Sequence, residues 1–413
     1  MVRRIGKALV YLAAAMASVP PTSGGDFAWG GSVRSYLYVF DPAAVRAGGT
    51  AVGPSPEAVA TGRVRLEAAW SPDARVRLEG AYDLAPRFES GGFAGGSLLP
   101  GRPDPLAYRA FDLDPAAAAS GRFTLGQNLD RASVRWRFPA ADLTFGRQAV
   151  AWGSARGVNP TDVLAPFAFE VLDAEDRIGI DAVRARIPAG LLGEIDAGYV
   201  FGRDLEFRNS AFFLRAASNV RRTDLSVMVV GFRENLLLGF DLARSIGGAG
   251  YWLEAAAVAG GALGGGGGGR DYVRASTGLD YNLSGSLYGF VEYHYNGAGA
   301  AGAPGYAGRL AETAYREGAV YLAGRHYCIP GALYQYSPLV SLTVQALVNV
   351  TDPSVFLAPR AEYNIAPDVY LGAGAFVGIG RSPVAKDPAS PPVLRSEFGG
   401  YPGIYFASLR TYF

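Results

Sequence analysis

Arginine recurs at alternate positions along three early segments of the chain. The seven residues are Arg63, Arg65, Arg75, Arg77, Arg131, Arg135 and Arg137. Successive side chains of a β-strand point to opposite faces, so this spacing predicts that the seven share one wall of a sheet. A wall of fixed positive charge beside water would hold anions near it. Cross-strand pairing with Glu67, Glu79 and Asp83 would instead balance the charge without selecting any solute.

In later segments, carboxylates occupy the alternate positions that arginines occupy in the early ones. They are Asp181, Glu194, Asp196, Asp224, Asp241, Glu254, Asp280 and Glu292. The same alternation predicts that they line a second, acidic wall across the lumen from the arginines. Two opposed walls of opposite charge would create a transverse field that orients dipolar solutes.

Segment 151–176 is rich in glycine, proline, asparagine and aspartate, and it carries Trp152, Arg156, Asn159 and Asp162. These four residues are the candidate constriction of a pore, because a wide barrel leaves an open channel unless a segment folds into it. The alternative is an ordered loop at the outer rim, where long barrel loops usually lie.

The sequence has few residues suited to metal binding, disulfide formation or catalysis. One cysteine, Cys328, and two histidines, His294 and His326, cannot build a Cys/His zinc site or an internal disulfide, so we expect no metal and no cofactor. His294 near Glu292 is the one hint of a hydrolase, and no nucleophile motif accompanies it, so we do not expect an enzyme. The chain has 38 basic and 37 acidic residues. Its formal net charge of +1 gives no electrostatic reason to expect nucleic-acid binding.

The elements that position these residues are strands. Val64 and Leu66 alternate with Arg63 and Arg65, and comparable alternation continues to the C-terminus. We count about eighteen strands, with sixteen as the fallback, each long enough to cross a bilayer when tilted. The number is too large for one sandwich. The pattern predicts an all-β fold, a single transmembrane antiparallel β-barrel over residues 18–413.

The predicted connections also alternate between short and long. The long ones are residues 41–59, 85–128, 151–176, 260–270, 298–320 and 380–400. Short turns at one rim and long loops at the other are typical of outer-membrane barrels, so we expect the long set to face outward.

The N-terminus predicts export. Arg3, Arg4 and Lys7 precede a short apolar run that ends in an A-x-A cleavage pattern at residues 15–17, so residues 1–17 are a predicted signal peptide. The alternative is a short membrane anchor, although the apolar run is too short for a spanning helix.

Two motifs carry a family resemblance. The C-terminal strand, with apolar residues at Tyr405, Ala407 and Leu409 and a final Phe413, resembles the last strand of Gram-negative outer-membrane proteins, from which Thr411 departs. The block 145–153 (FGRQAVAWG), followed by 159–162 (NPTD), resembles porin-like barrels distantly similar to alginate-export and phosphate-selective porins.

The resemblance implies a protein of the Gram-negative outer membrane, surrounded by lipid and lipopolysaccharide and recognised by the barrel-assembly machinery through Phe413. With the charged lumen, it predicts a porin for passive diffusion of small hydrophilic solutes, with a possible preference for anions. The alternative is a closed structural or interaction barrel whose loops or periplasmic turns bind a partner.

Overall fold

The computed structural model describes residues 25–47, 50–90, 107–111, 116–166, 175–264, 269–385 and 392–413. The predicted signal peptide, residues 1–17, lies outside the described residues. No helix in the described ranges is long and apolar enough to cross a membrane.

Strands are numbered in chain order and dominate the structure. The barrel strands are β1 (Asp26–Asp41), β4 (Glu57–Ser71), β5 (Val76–Glu89), β7 (Phe123–Arg137), β8 (Asp142–Gln148), β9 (Ile180–Ala189), β10 (Gly193–Val200), β11 (Ala211–Val220), β12 (Thr223–Phe232), β13 (Asn235–Ile246), β14 (Ala249–Ala259), β15 (Tyr272–Asn282), β16 (Leu287–Asn296), β17 (His326–Ser337), β18 (Val340–Asn349), β19 (Ser354–Ala366), β20 (Val369–Ile379) and β22 (Gly403–Tyr412).

Short elements lie in the connections between barrel strands. They are β2 (Val45–Ala47), β3 (Thr50–Val52), β6 (Ala116–Ser120), β21 (Val384–Ala385), helices α1 (Tyr306–Leu310) and α2 (Thr313–Arg316), and 3-10 turns at Arg203–Leu205, Phe207–Asn209, Ala303–Gly305 and Phe398–Gly400. Strands β2, β3 and β21 form a small separate sheet.

The barrel closes between its first and last strands. The large sheet has nineteen strands, and β6 pairs with β7 beside the ring, which leaves eighteen in the ring itself. Strand β1 is antiparallel to both β4 and β22, with Ser32 opposite Arg65 on one side and Tyr412 on the other. Beyond β22, the Phe413 N–H donates to the Gly31 carbonyl oxygen at 3.0 Å. The predicted fold class and the count of eighteen strands are confirmed.

The two faces of the barrel reverse the pattern of a soluble protein. Leu37 and Leu409 point outward and are 58% and 45% exposed, whereas Arg34 and Arg410, three and one residues away along the same strands, point inward and are buried. Apolar side chains outside and charged side chains inside are the arrangement of a barrel surrounded by lipid.

Connections at the two rims differ in length. At one rim, here called the turn rim, residues 138–141 and 221–222 link neighbouring strands. At the other, the loop rim, longer connections such as 149–179 and 297–325 join the strands. Several strands run further than the alternation predicts, so that β5 continues to Glu89 and the prediction of a loop starting at residue 85 is too early.

One arginine assigned to the basic wall is not on a strand. Arg75 lies in the turn before β5, where its backbone N–H donates to Asp73 Oδ1 at 2.7 Å and the residue is exposed. Asp73 also accepts the Val76 N–H at 2.9 Å. An aspartate that bonds its own downstream backbone forms a tight turn, which ends the period-two pattern at this point.

Candidate pore lining

Segment 150–166 lies inside the barrel and is held there by carboxylates of the predicted acidic wall. Glu254 on β14 accepts the backbone N–H groups of Ala155 and Thr161 at 3.1 and 2.9 Å. It also accepts the Thr161 hydroxyl at 2.7 Å and the Asn159 amide at 3.1 Å. Hydrogen bonds to an ionised group are stronger than neutral ones, so Glu254 is a principal anchor of the segment.

Glu292 on β16 is the second anchor. It accepts three successive backbone N–H groups, from Arg156 at 2.7 Å, Gly157 at 3.2 Å and Val158 at 3.0 Å. The indole N–H of Trp252 completes the set at 3.0 Å. Both carboxylates are fully buried. The several hydrogen-bond donors around each one compensate for its loss of contact with water.

Three more carboxylates of the acidic wall contact the same segment. Trp152 Nε1 donates to Asp196 at 3.0 Å, Arg156 Nη2 donates to Asp280 at 3.1 Å, and Ser154 Oγ donates to Asp241. Segment 150–166 thus covers five of the eight carboxylates. The sequence had predicted that these carboxylates would border open lumen.

The other three have different surroundings. Asp181 pairs with Arg147 at 2.7 Å, and Asp224 accepts the Asn219 amide at 2.8 Å in an exposed position near the turn rim. The Glu194 side chain makes no hydrogen bond or ion pair with another described residue.

The four predicted constriction residues all lie inside the barrel. The Trp152 ring packs edge-on against Phe213 with 4.8 Å between centroids, and the Arg156 guanidinium lies 5.4 Å from the Trp252 ring. Asp162 is buried and accepts a hydrogen bond from Arg177. Burial raises the pKa of the Asp162 carboxyl above its ordinary value, although Arg177 opposes the shift.

Gly153 is required by the path of this segment. Its φ is +106°, a conformation that L side chains rarely adopt. A Cβ atom there would also lie 2.5 Å from Asn159 Nδ2 and from Glu254 Oε2. The glycine of the Trp-Gly motif therefore allows the backbone to turn against its anchor.

The predicted basic wall is only partly brought together. Arg65 on β4 contacts Asp83 at 3.1 Å and Asp130 at 2.9 Å, and Arg63 contacts Asp83 at 2.8 Å. Arg131 on β7 also contacts Asp130, at 2.6 Å. These arginines form a compact ion-pair network with the carboxylates instead of a row of unpaired charges.

The remaining arginines of the wall are more dispersed. Arg77 pairs with Glu79 at 2.7 Å and is about half exposed, and Arg137 lies 3.7 Å from Asp142 near the turn rim. Arg135 makes no ion pair with another described residue. The ion pairing that was the alternative to an unpaired arginine wall is therefore present for Arg63, Arg65 and Arg77.

Asp130 is a member of the network that the alternation misses. The pairing of β5 with β7 shifts by one residue between Ala81 and Tyr82, so Asp130 is the extra residue of a β-bulge. Both Asp130 and Arg131 consequently face the lumen, and the Gly179 N–H donates to Asp130 Oδ1 at 2.9 Å. A strict period of two places these neighbours on opposite faces.

We expect Asp130→Asn to destabilise the barrel by about 3–5 kcal/mol, because it leaves the mostly buried guanidinium of Arg131 without its carboxylate and removes one of the carboxylates that pair with Arg65. Urea unfolding in detergent, followed by tryptophan fluorescence, measures the change. Asp142→Asn is the matched control, since its Arg137 partner is 64% exposed, and we expect about 0–1 kcal/mol. Equal effects of the two substitutions would contradict a stabilising role for the bulge.

The inward arginines outside the predicted wall include Arg34 on β1, Arg360 on β19 and Arg410 on β22. Arg34 contacts Asp176 at 2.8 Å, and Arg410 contacts Glu175 and Glu362. Arg410 alternates with Leu409 and Thr411, so the signal was present in the sequence. The resemblance of this strand to a terminal assembly motif rests on its outward residues, Tyr405, Ala407 and Leu409, whereas Arg410 faces inward.

A polar cavity of about 480 Å³ lies beside this network. Its charged lining consists of three arginines and three carboxylates: Arg65, Arg77, Arg131, Glu67, Glu79 and Asp176. Segment 150–166 packs against strands β10 to β16, on the opposite side of the lumen. Water-accessible space beside charged side chains thus remains on the arginine side.

The residues considered for enzymatic chemistry make structural contacts in the described part of the chain. Ser276 Oγ donates to the Val158 carbonyl at 2.6 Å and lies 2.8 Å from His294 Nδ1. Glu292, the carboxylate nearest in sequence, is bonded to segment 150–166. Within the described ranges, no three His, Cys, Asp or Glu side chains could hold a metal ion together.

A buried carboxyl at the loop rim fixes the connection between β20 and β22. Glu397 accepts the Ala323 N–H at 2.7 Å, the Tyr327 hydroxyl at 2.6 Å and the Asn349 amide at 2.7 Å. Burial raises the pKa of Glu397 from 4.5 to about 7, although the Tyr327 and Ala323 hydrogen bonds oppose the shift.

This shift predicts a pH dependence of stability. A carboxyl whose pKa is higher in the folded state contributes stability that is complete below pH 4.5 and is lost as the pH rises through about 7. We expect wild type to lose on the order of 1–3 kcal/mol relative to Glu397→Gln between pH 5 and pH 8. Unfolding midpoints of both proteins across this range test the prediction, and parallel pH profiles would contradict it.

The fold resembles that of several solved bacterial proteins. No family model and no curated protein matches the chain. Acinetobacter baumannii OccAB2 aligns with a TM-score of 0.55 at 8% identity, over 94% of this chain and 98% of that one. Pseudomonas aeruginosa OpdK, solved with vanillate, aligns with a TM-score of 0.52 at 9% identity, over 93% and 98%. An engineered variant of the Rh. blastica porin covers 94% and 100% at 11% identity, with a TM-score of 0.46. The chain has the fold of bacterial outer-membrane channels.

Proposed function

We propose that the chain forms an outer-membrane channel for passive diffusion of small hydrophilic solutes, with a preference for anions. The observation that carries the proposal is the position of segment 150–166. It covers the acidic wall through Glu254 and Glu292, while the arginine-bearing strands border the polar cavity. Arg135 on β7, which has no ion-pair partner among the described residues, adds positive charge on this side of the lumen, and such charge favours anions.

The preference should be modest. Arg63 and Arg65 pair with Asp83, and Arg77 pairs with Glu79, so much of the positive charge is compensated. Arg135 has no ion-pair partner among the described residues and contributes uncompensated charge. A weakly selective pore therefore fits this lining better than a tight anion-binding site.

The surroundings of the barrel belong to the same proposal. The exposed apolar face suits lipid and lipopolysaccharide contacts. Phe413, which bonds to β1, is the residue through which the barrel-assembly machinery would recognise the chain. A signal peptide at residues 1–17 would provide export.

The second candidate is a closed barrel whose loops or turns bind a partner. It is favoured by the apolar packing inside the loop rim, where Val163 and Leu164 of the inward segment join strand residues such as Val230 and Leu237 in one buried cluster. If that packing closes the lumen completely, no solute passes.

Planar-bilayer recording of folded protein separates the two candidates. Heat-modifiable migration on a gel first establishes that the barrel is folded. We expect discrete conductance steps and a reversal potential that favours anions at low salt, with vanillate as a first organic anion to test. Folded protein without conductance steps would overturn the channel and favour the closed barrel.

A further inference from the structure

A second cavity, of about 370 Å³, lies at the loop rim away from the arginine network. It is enclosed by the connection between β1 and β4, by helix α1 and by the connection between β20 and β22. Its volume is at the lower end of the range of about 300–1,000 Å³ for small-molecule sites.

The walls of this rim cavity are apolar and rigid. Phe40, Tyr321, Tyr401 and Leu394 contribute large side chains to the lining. Five further lining residues are prolines: Pro42, Pro54, Pro383, Pro392 and Pro402. Proline fixes its own backbone φ, so the cavity is formed before a ligand arrives and little ordering entropy is lost on binding.

The only charged residues among the described lining are two acidic ones, Glu57 and Glu397. The oxygens of Glu397 already accept hydrogen bonds from Ala323, Tyr327 and Asn349. Glu57 Oε2 differs, because it is buried and has no hydrogen-bond partner among the described residues. A buried carboxylate oxygen without a donor is unfavourable, so the cavity presents an acceptor that a ligand can satisfy.

We propose that the rim cavity binds a small organic cation with a compact apolar body, whose ammonium group donates to Glu57 Oε2. The apolar body would lie between the prolines and the aromatic side chains, and ring faces also attract cations. An organic anion of the same size would place its charge beside two acidic side chains. The inference concerns binding alone and does not depend on conduction through the lumen.

Phenethylamine is the probe, titrated into folded protein in detergent at pH 7 and followed by calorimetry. Phenylacetate and 2-phenylethanol, which keep the ring and replace the ammonium group, are the comparison ligands. We expect the amine to bind and the other two to bind at least about tenfold more weakly, because a hydrogen bond to a charged group is stronger than one between neutral groups. We expect Glu57→Gln to weaken amine binding by a similar factor.

Two variants keep the result interpretable. Glu89→Gln removes a carboxylate from the same end of neighbouring strand β5, where it pairs with Arg87 and does not line the cavity, and it should leave amine affinity unchanged. Ala43→Trp fills the cavity without altering Glu57 and should abolish binding. Heat-modifiable migration establishes that each variant is folded.

Three results would each overturn the proposal. They are equal amine affinity for wild type and Glu57→Gln, equal binding of the amine and the alcohol, and no amine binding to folded wild type. In those cases a water molecule or a proton satisfies Glu57. Because the measurement uses no conductance, its outcome is separate from the test of the channel.

Discussion

Replacing Glu254 and Glu292 together by alanine is expected to enlarge the pore and make its current noisy. The two carboxylates accept most of the hydrogen bonds that hold segment 150–166 against the barrel wall, including five from its backbone N–H groups. Each hydrogen bond to a charged group contributes about 1.5–3 kcal/mol, so their joint loss exceeds what the segment can recover elsewhere.

We expect single-channel conductance to rise on the order of twofold, with added flicker, because a released segment no longer fills lumen that a wide barrel leaves open. Planar-bilayer recording at fixed salt measures both effects. Glu194→Ala is the matched control, since Glu194 belongs to the same predicted acidic wall and its side chain forms no hydrogen bond with the described residues of the segment. An unchanged conductance in the folded double variant would show that segment 150–166 does not limit the current.

Replacing Arg135 by alanine is expected to shift the reversal potential toward cations. Arg135 has no ion-pair partner among the described residues, so its removal deletes uncompensated positive charge from a confined aqueous space. The shift should be largest at 0.1 M salt and small at 1 M, because the Debye length falls from about 10 Å to about 3 Å.

Arg77 and Glu79 provide the control for this prediction. Their side chains pair at 2.7 Å, so the double replacement by alanine removes no net charge and should leave the reversal potential nearly unchanged. Arg77→Ala alone unmasks Glu79 and should behave like Arg135→Ala. Wild-type channels without anion preference at low salt would refute the proposed selectivity while leaving the barrel intact.

The period-two pattern was sufficient to predict the barrel. A strand that separates lipid from a wet lumen must alternate apolar and polar side chains. This alternation is visible in the sequence itself, as in Val64, Arg65 and Leu66. Strand number and the alternation of short and long connections follow from the same local signal. The inward position of Arg63 and Arg65 could therefore be predicted. A constriction formed by residues of segment 151–176 stays a prediction.

Only the tertiary structure decided which charges meet. Asp130 joins Arg65 because a one-residue bulge rotates it into the lumen, and a bulge has no marker in an alternating sequence. Glu254 and Glu292 bind backbone N–H groups more than ninety residues earlier in the chain. Such partners depend on how a long connection folds into the barrel, whereas alternation reports only the face on which a side chain lies.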